Sequence, residues 1–284
     1  MPEGDTIFRA ARTLHRALAG HPVTRFESVF PALMRVDADA PIAGRTITAV
    51  SARGKHLLIA FSGDLTLHTH MRMNGSWHVY RHGERWRAPK HDLRIRIDTD
   101  GFVAVGFSVP VAEFLTGAEL ARHPQISTLG PDLAADTFDR EEVRRRMAAY
   151  PDVPLHDILL DQRVLAGIGN VLKSEVLFVA RLDPFMPARA VTPEQFARLL
   201  DVSLRLMAMN IAEPSVMSPS FGRRTTGSMD PRAKLYVYGR SGRACRRCGT
   251  AVASAKTGAD ARLTYWCPSC QHVQPHAPGD STRS

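Results

Sequence analysis

Met1-Pro2-Glu3-Gly4 opens the chain, and the helix expected to follow it is the element around which the rest is organised. Removal of Met1 leaves the secondary amine of Pro2 at the chain end. An α-amino group has a pKa near ~8, far below that of lysine. Much of it is therefore unprotonated near neutrality, and it is a nucleophile able to form a Schiff base with carbonyl-like carbon. Glu3 sets a carboxyl one residue away, in position to act as acid or base on the same substrate. Ile7, Ala10, Ala11, Leu14 and Leu18 recur at helical spacing, Asp5 is the expected N-cap, and Gly20 follows the last turn. The amine then lies beside a helix N-terminus, whose dipole disfavours protonation and attracts phosphate. The same residues also fit an ordinary processed start with a surface glutamate, and the rest of the chain decides between the two.

The chain has 284 residues, 44% of them hydrophobic, enough for one large or two medium domains with real cores. No apolar run reaches the ~18 residues of a membrane span. No signal-peptide pattern follows the acidic start, so a cytoplasmic protein is expected. The net charge of +9 points to an anionic partner, with nucleic acid the commonest. Lysine is rare: Lys55, Lys90, Lys173, Lys234 and Lys256 are the five among 37 basic residues. Each is notable, because lysine and not arginine readily shifts its pKa and passes a proton. Cys245, Cys248, Cys267 and Cys270 form two C-x2-C pairs with 18 residues between them. That is a zinc-ribbon spacing rather than a disulfide framework. Four thiolates close the coordination shell, so one structural Zn2+ is expected, not a catalytic ion.

Along the chain, Val23–Val29, Thr46–Ala52, Leu57–Phe61 and Leu65–His70 read as short strands. Leu93, Ile95 and Ile97 alternate with polar residues, and Phe102–Phe107 follows the Asp100-Gly101 turn. Strands at this spacing predict an antiparallel β-sandwich that ends at Pro110. Within it, Arg53-Gly54-Lys55-His56 is a turn whose lysine is either solvated or held toward a phosphate or reacting sugar. Met73, at the edge of the Asn74-Gly75 turn, is either a wedge for a base stack or a residue folded back into the sandwich. His68 and His70 share a strand face; with no third ligand evident, they read as polar surface. Helices follow over Arg140–Tyr150, His156–Gln162, Asn170–Val179 and Pro193–Ile211. The middle two are joined by Arg163-Val164-Leu165-Ala166-Gly167-Ile168-Gly169, with Asn170 expected at an N-cap that suits phosphate contact. Residues 213–232 read as a long polar loop with Arg223-Arg224, and the tail from about 273 as disordered. Leu235-Tyr236-Val237-Tyr238 and Arg262-Leu263-Thr264-Tyr265-Trp266 read as β-rich limbs of the metal-pinned segment, with Gly258 near its tip.

Taken together, these pieces resemble the formamidopyrimidine-DNA glycosylase and endonuclease VIII family of base-excision repair enzymes. The resemblance spans nearly the whole chain. It rests on Met1-Pro2-Glu3-Gly4, on Arg53-Gly54-Lys55-His56-Leu57-Leu58, and on Asp161-Gln162-Arg163 through Gly167-Ile168-Gly169-Asn170. Tyr238-Gly239-Arg240 and the four-cysteine finger complete the set. It implies an α+β protein: an N-terminal antiparallel β-sandwich with a flanking N-terminal helix, a helical region with a helix–two-turn–helix unit, and a zinc-finger β-hairpin. The expected divisions are 1–125, 126–234, 235–272 and a tail over 273–284.

The resemblance also implies roles. Pro2 attacks C1′ of a damaged nucleotide, and Glu3 protonates the sugar ring oxygen. Lys55 contacts phosphate and takes part in elimination. Asn170 and Arg262 bind phosphate, Arg262 being linked to the second elimination. His91 faces the DNA backbone, and Met73 fills the gap left by the extruded base. Two departures matter. Thr6 stands where relatives carry a glutamate. No Arg–Phe wedge pair occurs in Gly106–Phe114, which favours the endonuclease VIII branch and oxidised pyrimidines. The expectation is a monomeric glycosylase and abasic-site lyase acting on damaged DNA. The rival readings are a catalytically silent zinc-finger protein that binds damaged or single-stranded DNA, and an RNA-binding zinc-ribbon protein.

Overall fold

The computed structural model describes residues 2–212, 222–228, 230 and 232–273. Met1, the tail from 274 and the greater part of the expected 213–232 loop lie outside the described residues. The chain forms two compact units, Met1–Phe138 with Leu165–Gly167, and Asp139–Val164 with Ile168–Ser284. The first unit runs past the division expected at 125. It also takes in three residues of the inter-helix link.

In the first unit, helix α1 (Gly4–Leu18) buries Ile7, Ala11, Leu14 and Leu18, the stripe that its sequence spacing placed on one face. This stripe shares one core with Val50, Leu57, Ile59, Trp77 and Ile97 of the sandwich. Burial of each large aliphatic side chain contributes about 1.5–3 kcal/mol. The strands are β1 (Arg25–Ser28), β2 (Ile47–Arg53), β3 (His56–Phe61), β4 (Leu65–His70), β5 (Ser76–Tyr80), β6 (Leu93–Asp98), β7 (Val103–Phe107) and β8 (Val111–Leu115). They make two antiparallel four-stranded sheets, β1-β6-β7-β5 and β2-β3-β4-β8.

Four elements here are absent from the sequence expectation. Pro110 does not end the β region: Ser108-Val109-Pro110 carries the chain from one sheet to the other, and β8 then pairs with β4. A proline interrupts a ladder but suits the link before a strand. Strand β5 was not foreseen, nor was helix α2 (Pro31–Asp39), whose one fully buried residue is Leu33. A short helix α3 (Gly117–Arg122) is closed at its start by a Thr116–Glu119 capping box.

In the second unit, α4 (Arg140–Ala148) is capped by Asp139, and α7 (Pro193–Ile211) by Thr192 with Gln195. The helix expected over His156–Gln162 is a single turn, α5 (Leu155–Ile158), followed by tight turns. Helix α6 (Asn170–Ala180) buries ten of its 11 residues. Against it lies a two-stranded hairpin, β9 (Ala253–Thr257) and β10 (Arg262–Trp266), with Gly258 at the tip in a left-handed conformation. The residues Tyr236-Val237-Tyr238 form a turn and not a strand limb.

Candidate active site and metal centre

Glu3 is the N-cap of α1 and is fully buried; its carbonyl accepts from the amides of Thr6 at 2.9 Å and Ile7 at 3.0 Å. Asp5 was the expected cap. It lies instead inside the first turn, buried, accepting from Arg9 and from the Thr6 hydroxyl at 3.4 Å. The Gly4 amide donates to the carbonyl of Gly167 at 2.9 Å. A Cβ on Gly4 would stand 2.7 Å from both Cα and the carbonyl oxygen of Gly167, so only glycine fits. Pro2 is half-buried beside this contact. The chain start and the Leu165–Gly167 link are thereby locked together within the first unit.

Lys55 sits in the two-residue turn between Arg53 and His56, the last pair of the β2–β3 ladder. Gly54 takes a φ of 57°, the left-handed region that favours glycine, and its amide donates to Oδ2 of Asp132 at 2.6 Å. Oδ1 of Asp132 accepts from the Ala134 amide at 2.9 Å, and Asp132 forms a parallel bridge with Ala166. One residue therefore holds both the lysine turn and the link that grips Gly4. Burial raises the Asp132 pKa, while its hydrogen bonds from Gly54 and Ala134 pull the other way. Sequence reading missed Asp132; the Gly130-Pro131-Asp132 turn signal was its only mark.

Met73 is 58% exposed on its turn, while its neighbour Met71 is buried, so of the two positions weighed for Met73 the outward one is occupied. His91 is also exposed, on a short helical turn over Lys90–Asp92. His68 and His70 are not polar surface: His68 is fully buried and His70 half-buried. They pack with His56 and His123, ring to ring, and Glu113 lies among them.

In the second unit, Gly169 is the N-cap of α6, and Asn170 is its first helical residue instead. Asn170 is 7% exposed and its Oδ1 has no hydrogen-bond partner among the described residues. Arg262 opens β10 with an exposed side chain, 3.4 Å from the Asp260 carboxylate. Lys173 and Glu175 are fully buried, and sequence reading gave neither a role. Lys173 donates to Oγ1 of Thr264 at 2.6 Å, tying α6 to the hairpin. Glu175 accepts from the amides of Tyr236, Val237 and Tyr238, each at 2.8 Å. A carboxylate thus anchors the turn that leads into the finger.

The four cysteine sulfurs lie within 4.8 Å of one another, with Cys245–Cys270 at 4.0 Å and Cys248–Cys267 at 3.5 Å. Thiolates at ~2.3 Å from a tetrahedral zinc ion stand about 3.8 Å apart, so the sulfur cage fits Zn2+. Cys245 and Cys267 are also part of a small core with Phe178, Val237 and Val252, so the metal centre is built onto α6.

Comparison with known proteins places these features in a family. Residues 1–108 match the formamidopyrimidine-DNA glycosylase N-terminal domain, 129–219 the H2TH domain of the same enzyme, and 242–273 the zinc finger found in FPG and IleRS. The chain is 42% identical to the probable endonuclease 8 2 of Streptomyces coelicolor, over 99% of this chain and 98% of that protein. It is 36% identical to the DNA-(apurinic or apyrimidinic site) lyase Nei2 of Mycolicibacterium smegmatis, over 95% and 99% of the two chains. In fold it superposes on the Lactococcus lactis Fpg, solved in complex with DNA containing an abasic site. The TM-score is 0.79 at 22% identity, covering 96% of this chain and all of the other.

Proposed function

Because this chain belongs to the formamidopyrimidine-DNA glycosylase and endonuclease VIII family, we propose that it is a bifunctional DNA glycosylase and abasic-site lyase that removes oxidised pyrimidines through Pro2. The observation that carries this reading is the fixed chain start. Glu3 is buried as the cap of α1, and Gly4 is held against Gly167, so Pro2 and Glu3 are presented in one orientation. Preorganisation of that kind is what an attacking amine and its acid need.

In the proposed reaction the target nucleotide leaves the stack, at a cost of about a few kcal/mol that is least for a damaged pair. Met73 enters the gap. The Pro2 nitrogen attacks C1′, the bond to the base breaks, and Glu3 protonates the ring oxygen as the sugar opens. The product is an imine, whose positive nitrogen acidifies the C2′ proton. Loss of that proton expels the 3′ phosphate, and a second elimination expels the 5′ phosphate. Lys55 and Arg262 steady the phosphates for these steps, with Asn170 and His91 on the DNA backbone. No water or catalytic metal enters the eliminations. One structural Zn2+ holds the finger. The enzyme works as a cytoplasmic monomer. The preference for oxidised pyrimidines is supported by the short Ser108-Val109-Pro110 passage between β7 and β8, which carries no Arg–Phe pair.

Borohydride trapping on an oligonucleotide with an oxidised pyrimidine, beside one with an abasic site, tests the reading. An adduct mapped by peptide mass spectrometry to Pro2 is the expected result. Trapping of the abasic oligonucleotide alone would leave the lyase and remove the proposed base. Binding of both without trapping, with Met1 confirmed absent, would overturn the enzyme reading in favour of a silent DNA-binding protein.

A further inference from the structure

The buried imidazoles of the first unit belong to none of the steps above. His56 on β3, His68 on β4 and Glu113 on β8 stand on adjacent strands, and His123 caps the C-terminus of α3. Nδ1 of His68 lies 2.8 Å from Oε1 of Glu113, and Nε2 of His123 lies 3.0 Å from the same oxygen. The ligand atoms of these three residues fall within 4.8 Å of one another. His68 is fully buried, the His123 side chain is 13% exposed and that of Glu113 40%, so one side of the cluster reaches solvent.

From this geometry we infer that His68, Glu113 and His123 form a second metal site, separate from the cysteine finger, for a divalent cation of the Zn2+ type. Two imidazole nitrogens and one carboxylate oxygen are a donor set that zinc takes with a position left open, and imidazole suits other late first-row ions as well. The outer shell is present too. Nε2 of His68 lies 2.8 Å from Nδ1 of His56, so a His68 that ligates through Nδ1 donates its remaining N–H to His56. A second partner of this kind orients a ligating ring and raises its basicity.

The rival account is a hydrogen-bonded cluster without an ion. In that account both rings donate to the same oxygen of Glu113. Nδ1 of His123 has no partner among the described residues in either account, so the metal content of the protein decides between them. The open side at Glu113 gives an ion its route of entry.

The test is metal stoichiometry on the full chain. Protein with its finger loaded is dialysed against excess Zn2+, freed of loosely held metal on a weak chelating resin, and analysed by plasma mass spectrometry. Wild type is expected to hold one further equivalent of Zn2+ beyond the finger. Glu113→Gln and His123→Ala are expected to lose that equivalent and keep the finger's own. Glu113→Gln retains an oxygen acceptor for both rings, so a folding defect in His123→Ala would not confuse the result. Co2+ in place of Zn2+ separates the two sites, since only the finger gives thiolate-to-cobalt absorption. Saturation of wild type at the finger's equivalent alone, or persistence of the extra equivalent in both variants, would overturn the site.

Discussion

The amide of Gly4 donates to the carbonyl of Gly167 at 2.9 Å, joining the start of the chain to the link between the α5 and α6 helices. A methyl group at position 4 would collide with the Gly167 backbone at 2.7 Å, and backbone on both sides leaves nothing soft to yield. Gly4→Ala is therefore expected to displace Pro2 and Glu3. Misplacement of about 1 Å at a reacting centre costs on the order of 100-fold in rate. Single-turnover excision should fall by about that factor with zinc content unchanged; wild-type excision would show that the contact does not position the site.

Glu3 is fully buried at the cap of α1, where its carboxyl is proposed to protonate the opening sugar. Glu3→Gln keeps the shape and removes the acid. Base excision should be abolished while a gel-shift affinity for damaged duplex is retained, and Pro2→Gly should weaken the lyase. Full excision by Glu3→Gln would assign the proton to another group.

Asp132 separates charge from hydrogen bonding. Its pKa is raised by burial, against the pull of its bonds from Gly54 and Ala134. A carboxyl with a raised folded pKa contributes stability that is full below its unfolded value, near 3.8, and is lost as pH rises through the folded value. Asp132→Asn keeps an acceptor for Gly54 and carries no charge. Its stability relative to wild type should improve between about pH 4 and about pH 7. Asp132→Ala leaves the Gly54 amide unpaired, a cost of about 1–3 kcal/mol, and should slow the lyase step by freeing the Lys55 turn. Urea melts at the two pH values check the sign; a relative loss for Asp132→Asn on going to neutrality would refute it.

Glu175 accepts three backbone amides at the turn before the finger. Its truncation leaves the buried amide of Val237 and the half-buried amides of Tyr236 and Tyr238 without this acceptor. Glu175→Ala is expected to cost about 1–3 kcal/mol and to speed zinc loss to a chelator. Unchanged zinc release would show that the turn is held by the metal alone.

Met73 stands 58% exposed on a tight turn and contributes little to the core. Met73→Ala should leave the unfolding free energy within about 0.5 kcal/mol of wild type, as expected of a surface change, yet weaken excision from duplex more than from single strands. Equal loss on both substrates would rule out the wedge.

What the sequence disclosed and what it hid follow from physical range. The finger was legible because metal geometry fixes the spacing of Cys245, Cys248, Cys267 and Cys270 over a short stretch. Helix α1 was legible because one apolar stripe meets one core. Strand β8 was hidden by Pro110, which reads as a terminator and acts as a passage between sheets. The histidine cluster was hidden because His56, His68, Glu113 and His123 meet only through sheet pairing and the end of α3. Lys173 and Glu175 look like helix surface; the hairpin bonded to Lys173 and the 236–238 turn held by Glu175 make them interior.

That helix has a consequence for how the protein can change. With ten of 11 positions buried, and Asn170, Lys173, Ser174 and Glu175 among them, α6 has almost no face on which substitutions are neutral. In a saturation library it should stand out as an intolerant stripe at nearly every position, unlike α4, where Val143 and Met147 alone are buried. Drift in this chain is therefore free to rewrite its arginine-rich outer helices while the stretch from Asn170 to Ala180 stays all but frozen.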